Sequence, residues 1–168
     1  MDEENYPADM PEIRRVAVRG IIFIGGKLLL AGNKFGEYKL PGGGIEDGED
    51  DLTALIREVR EETGYSVVPE SVKPFGYIEE KRLSTHEPMV WHQISRLYFC
   101  EVGEERGECE YSDSEKRYGF YCRTLTVDEA IEANRLMLDT EGELAWNQRE
   151  YRTLKLIKEY SERNAYSG

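Results

Sequence analysis

Residues 43–65 read GGIEDGEDDLTALIREVREETGY. Within them Leu52, Leu55, Ile56 and Val59 recur at i, i+3, i+4 and i+7, the period of an amphipathic helix, so Asp50 to Thr63 is expected to be helical. Asp50 or Asp47 is placed to cap the first turn, and Gly64 stands where a left-handed C-terminal residue belongs. Glu58, Glu61 and Glu62 are three or four residues apart, so they share one face, opposite the apolar stripe. Like charges at that spacing cost about 0.2–0.5 kcal/mol per pair. A divalent cation would reverse the penalty, and carboxylate oxygens suit Mg²⁺ or Mn²⁺. The glycines ahead of the helix let backbone approach a ligand closely, and a helix N-terminus behind such a loop attracts anions. A solvated acidic face would account for the acids alone, but not for the glycines, Arg57 and the spacing.

Outward from this helix the chain alternates strands and helices. Val16 to Ile24 is rich in β-branched residues and reads as a strand; Gly25-Gly26 is a turn, and Lys27 to Ala31 completes a hairpin. Tyr38 to Pro41 is a short strand running into three glycines. Tyr65 to Leu83 is β-rich but interrupted, Val90 to Val102 is a long strand, and Gly103 to Tyr118 is a polar, acidic loop. Gly119 to Leu125 is a strand. Thr126 and Glu129 form a capping box for a helix to about Leu138, and a last helix spans about Ala145 to Tyr160. Short connections make the sheet mostly antiparallel, with helices on its faces: a mixed α/β protein.

Composition bounds the rest. A chain of 168 residues suits one domain and buries roughly 70% of its unfolded surface. We read residues 1–12, acidic and with two prolines, as a flexible arm, and residues 13–168 as a single domain. The 34 acids outnumber the 22 Lys and Arg, for a net charge of -12. Nonspecific nucleic-acid binding, which needs a cationic footprint, is therefore not expected. An anionic substrate would need local neutralisation. Cys100, Cys109 and Cys122 form no CxxC and are odd in number, which suggests reduced thiols rather than a disulfide framework or zinc site. No apolar run approaches a membrane span, and the acidic N-terminus lacks a signal's apolar core, so no membrane partner and a cytoplasmic location are expected.

The stretch from Gly43 resembles the Nudix box, G-x5-E-x7-R-E-U-x-E-E-x-G-U, where U is bulky and apolar. Gly43 is followed at the required spacing by Glu49, Arg57, Glu58, Glu61, Glu62 and Gly64. Val59 fills the first U, and Tyr65 stands in the last, where Ile, Leu or Val is usual. The resemblance implies an α/β/α sandwich around a mixed sheet, with the box as loop–helix–loop. It implies hydrolysis of a diphosphate linkage in a nucleoside diphosphate derivative or nucleoside triphosphate, with Mg²⁺ or Mn²⁺ as cofactor. By motif position Glu58, Glu61, Glu62 and the Gly43 carbonyl hold metal, Glu49 assists, and Arg57 orients the glutamates. The plain reading of Arg57 is a surface pair with Glu61, worth little alone. For the general base the resemblance points to a glutamate outside the box, Glu115 in the acidic loop, with Glu61 as rival.

Substrate choice lies outside the box. The proline of ADP-ribose hydrolases, about sixteen residues past the box glycine, is replaced by Glu80. Tyr77 comes too early for the tyrosine of diadenosine-polyphosphate hydrolases, and Gly44 stands where some triphosphate hydrolases carry lysine. Arg14, Arg15, Arg19, Lys34 and Lys39 precede the box and are candidates to face phosphates, Arg19, Lys34 and Lys39 foremost; each alone reads as a solvated surface residue. His86 and His92 have no ligand spacing and read as ordinary surface or strand residues. Tyr77, Trp91, Tyr98 and Phe120 read as core or as base-stacking rings. A homodimer is expected by analogy. A nucleotide-sensing module without hydrolysis is the alternative, against which the intact glutamates argue. An isomerase of the isoprenoid type shares the fold, but no cysteine precedes the box.

Overall fold

The computed structural model describes residues 6–84, 87–140 and 144–165. Its first strand, β1, spans Glu12–Ile21. The short strands β2 (Phe23–Ile24) and β3 (Lys27–Gly32) form the expected hairpin about Gly25-Gly26. The strand read as continuous from Val16 to Ile24 is broken at Ile22, whose carbonyl turns to accept from Leu29 N. After β4 (Tyr38–Lys39) comes helix α1, Asp51–Thr63. Asp50 is its cap, accepting from Thr53 N at 2.7 Å, and Gly64 closes it at φ 76°.

The chain continues through β5 (Tyr65–Val67), β6 (Lys73–Leu83), β7 (Val90–Phe99) and β8 (Val102–Arg106). A short helix α2 (Asp113–Tyr118), strand β9 (Tyr121–Leu125) and helices α3 (Val127–Met137) and α4 (Asn147–Ala165) complete it. β1 runs parallel to β7, which pairs antiparallel with β6 on its other side. β3 carries β2 and β4 at its ends and pairs antiparallel with β9. The segment 103–118 is therefore no open loop: β8 pairs with β5, and α2 has a capping box of its own, Ser112 with Glu115.

β3 shows the layering. Leu28 and Leu30 point into one cluster with Ala130 of α3 and Leu154 and Ile157 of α4. Leu29 points the other way, with Ala54, Leu55 and Val59 of α1. Strand alternation thus sends successive leucines to opposite helical layers, which is an α/β/α sandwich. Each fully buried leucine contributes about 1.5–3 kcal/mol of apolar transfer.

Three residues depart from the expected pattern. Leu52 is exposed at the start of α1, and Glu62 takes a place on the buried stripe of Leu55 and Val59. Tyr77, on β6 at the sheet margin, is 69% exposed rather than core. His92 lies on strand β7, one of its two readings, and is buried there with Glu12 and Glu79 at its two ring nitrogens, 2.7 and 2.6 Å away. His86 lies outside the described residues, and the three cysteines are free thiols.

Candidate active site

A cavity of about 800 Å³ opens between the glycine loop, α1, the β1–β7–β6 face and the start of α4. The loop enters it in a conformation that glycine alone tolerates well. Gly42 has φ 140°, and a Cβ there would overlap the Val18 carbonyl. A Cβ on Gly43 would overlap the Glu58 carboxylate, so that side chain lies directly on the loop. Gly43 O accepts from Val18 N at 2.9 Å, which leaves its second lone pair for another partner.

The three box glutamates line this cavity in different electrostatic settings. Glu62 is 3% exposed and accepts from Lys39 Nζ at 2.6 Å and Gly42 N at 2.9 Å. Burial pushes its carboxyl up, opposed by Lys39 and Arg19. Glu58 accepts from Arg57 at 2.8 Å. Glu61 is the least engaged, with Arg57 at 3.6 Å; burial, then Glu58, raises its carboxyl above the ordinary range.

Arg57 does more than pair along its helix. It grips Glu49 through two hydrogen bonds of 2.7 and 2.8 Å, and reaches the Gly44 carbonyl at 3.0 Å. That fork ties the loop to the helix, and it holds the Glu49 carboxyl down at about 2.

Glu115 also lines the cavity. One oxygen is committed to Ser112, at 2.9 Å from N and 2.8 Å from Oγ, and the other stands 3.8 Å from Lys39. Burial raises its carboxyl, but the Ser112 backbone and Lys39 outweigh burial, so it sits below the ordinary range. The chain before α2 is docked on the end of α1: Glu110 N donates to Glu61 O and Tyr111 OH to Glu62 O. Those carbonyls belong to the last turn of α1, where none of the helix's own amides reaches them.

Of the cations singled out by sequence, Lys39 and Arg19 reach the cavity and Lys34 does not. Lys39 lies against Glu62 and over the Phe120 ring at 4.9 Å. Arg19, 7% exposed, donates to the carbonyls of Gly42 and Leu40 and so holds the loop. Lys34 Nζ donates to the Arg117 carbonyl. Arg14 pairs with Glu12 on the sheet's other face, whereas Arg15 lines the cavity. Arg82 and Arg149 also line it, though no local pattern singles them out. They come from β6 and α4, and only the tertiary fold gathers them.

Among the described residues no three acids form a ready cage for a metal ion, and Lys39 and Arg57 engage Glu62 and Glu58. The donor set nevertheless fits a hard cation. It is all oxygen, and Glu58 lies against the glycine whose carbonyl has a free lone pair.

With this geometry in view, the NUDIX domain family model matches residues 13–146. The chain belongs to the Nudix family. It is 38% identical over 63 residues to nucleoside triphosphatase NudI of Enterobacter sp. (strain 638), covering 38% of this chain and 45% of that one. It is 27% identical over 107 residues to the putative ADP-ribose pyrophosphatase YjhB of Bacillus subtilis (strain 168), covering 63% of this chain and 48% of that one. The matches therefore span about half the length of these curated relatives. Among solved structures, a NUDIX hydrolase from Nitrosomonas europaea superposes with a TM-score of 0.57 at 21% identity, over 84% of this chain and 90% of that chain, a likeness of fold.

Proposed function

We propose that this Nudix chain hydrolyses a phosphoanhydride linkage in a nucleoside triphosphate or nucleoside diphosphate derivative, with Mg²⁺ or Mn²⁺. The observation that carries the reading is the gathering of Glu58, Glu61 and Glu62 with the Gly43 loop in one cavity whose opposite wall is cationic. The names of the matched relatives, a nucleoside triphosphatase and a putative ADP-ribose pyrophosphatase, support a nucleotide substrate.

In this reading Glu58, Glu61, Glu62 and the Gly43 carbonyl hold the cation. A bound divalent cation supplies charge neutralisation at the phosphate oxygens. Arg57 positions Glu58 and, through Glu49, the loop. Lys39 moves from Glu62 to the phosphate when substrate and cation arrive. Glu61 accepts the proton of the attacking water: burial and Glu58 raise its carboxyl, which makes it the stronger base. Glu115, lowered and committed to Ser112, is the weaker candidate. The same reading takes residues 13–168 as one domain behind a short arm, active in the cytoplasm as a homodimer; size-exclusion chromatography with light scattering tests the dimer.

The activity is tested by phosphate and pyrophosphate release across nucleoside triphosphates, ADP-ribose, sugar nucleotides, dinucleoside polyphosphates and dinucleotide cofactors. We expect Mg²⁺-dependent cleavage of one class. Nucleotide binding without cleavage of any member, with either metal, would replace the hydrolase by a sensing module.

A further inference from the structure

The wall facing the box carries positive charge that its own acids do not match. β1 and β6 flank β7, and Arg15 and Arg82 approach Trp91 from these two neighbouring strands, each guanidinium 5.8 Å from the ring centroid. In a chain of net charge -12, no carboxylate pairs with Arg15 among the described residues. Arg82 has Glu80 at 3.4 Å, but its buried Nε makes no hydrogen bond. Glu80 is shared with Arg149 at 3.1 Å, and Arg149 also takes Glu150 at 3.0 Å. Glu80 and Glu150 thus serve Arg82 and Arg149, and the charge of Arg15 is left unmatched by the described acids. Gly44 keeps room for this arrangement, since a Cβ there would stand 2.7 Å from Arg15 Nη2. Arg15 is exposed and has no carboxylate of its own among the described residues, so none of them competes with an anion for its guanidinium. Guanidinium forks match phosphate oxygens, and the indole between them lowers the cost of holding two cations close.

We propose that Arg15 and Arg82, braced on Trp91, form an anion subsite for a phosphate group other than the diphosphate being cleaved, and so select substrates that carry one. The proposal rests on the hydrolase reading for which phosphate is cleaved. The extra phosphate is either the end of a longer polyphosphate chain or an ester on a ribose; the chemistry at the arginines is the same.

Calorimetric binding to the full chain in EDTA, where no turnover occurs, tests it with two pairs: ATP against ADP, and NADP⁺ against NAD⁺. The member with the extra phosphate should bind about tenfold tighter or more in one pair, the scale of charge-assisted hydrogen bonds. A preference in the first pair means a longer chain; in the second, a ribose phosphate. R15Q and R82Q should each lose most of that preference, and R14Q, on the other face, should keep it. Arg15 is exposed, so R15Q should fold normally, and its melting temperature checks this. Less than a twofold preference in both pairs, or one that survives R15Q, overturns the subsite. Preference without Mg²⁺-dependent cleavage keeps the subsite and removes the hydrolase. Cleavage without preference removes the subsite alone. No nucleotide binding in EDTA overturns the subsite, while the hydrolase stands or falls on Mg²⁺-dependent cleavage.

Discussion

Glu62 is a carboxylate on a buried stripe, alongside Leu55 and Val59. It is tolerated there because Lys39 and the Gly42 amide satisfy it. Gly43, lacking a Cβ, leaves room for Glu58. Gly43→Ala should therefore displace Glu58 and lower kcat at least tenfold, while Gly76→Ala on β6, where a Cβ meets nothing and φ is ordinary, should leave kcat near normal. Turnover kinetics of the two variants decide it. Glu49 makes a pH-dependent contribution. Its carboxyl falls from an ordinary 4.5 to about 2 when folded beside Arg57, so its stabilisation is complete above 4.5 and is lost as pH falls toward 2. Glu49→Gln should lower the melting temperature at pH 7, and the gap from wild type should close between pH 4.5 and 2. A constant gap would show that the Glu49 charge contributes nothing.

At the scale of elements, α1 carries the box glutamates and α4 braces the loop that faces them. Glu150 of α4 accepts from Leu40 N at 3.0 Å, and Arg149 links it to Glu80 of β6. Arg149→Met would leave buried Glu150 without its ion pair and buried Glu80 with Arg82 alone, at 3.4 Å. We expect a loss of about 3–5 kcal/mol, measured by urea unfolding. Thr126→Ala, which removes the cap of α3 but buries no charge, should cost about 1 kcal/mol. The contrast explains what was legible in the sequence. The helix α1, its Asp50 cap, the Gly64 terminus and the Thr126–Glu129 box are local patterns, and each is where the spacing puts it. The burial of Glu62, the role of Arg149 and the grip of Arg57 on Glu49 were not legible. Their partners lie on other elements or across the loop, and no periodicity encodes them. The acidic 103–118 segment hid a strand and a helix because its polar composition resembles a loop, while β5 and the end of α1 supply the pairing it needs.

At the scale of the molecule, the sandwich separates charge across one cavity. The box carboxylates come from α1, where Arg57 accompanies them, and Arg15, Arg19, Arg82 and Arg149 come from β1, β6 and α4. Under the proposed hydrolase reading, a chain of net charge -12 meets an anionic substrate because cations gather at this cavity and a metal would neutralise its acids. No helix among the described residues is long and apolar enough to cross a membrane. The central claim is that the box carboxylates carry phosphoanhydride hydrolysis. The most direct measurement is turnover of Glu62→Gln against wild type on the nucleotide that the wild type cleaves with Mg²⁺, with circular dichroism to confirm the fold. The account predicts a fall of about a hundredfold or more. Near-normal turnover by the folded variant, or no cleavage of any nucleotide by the wild type, would contradict it.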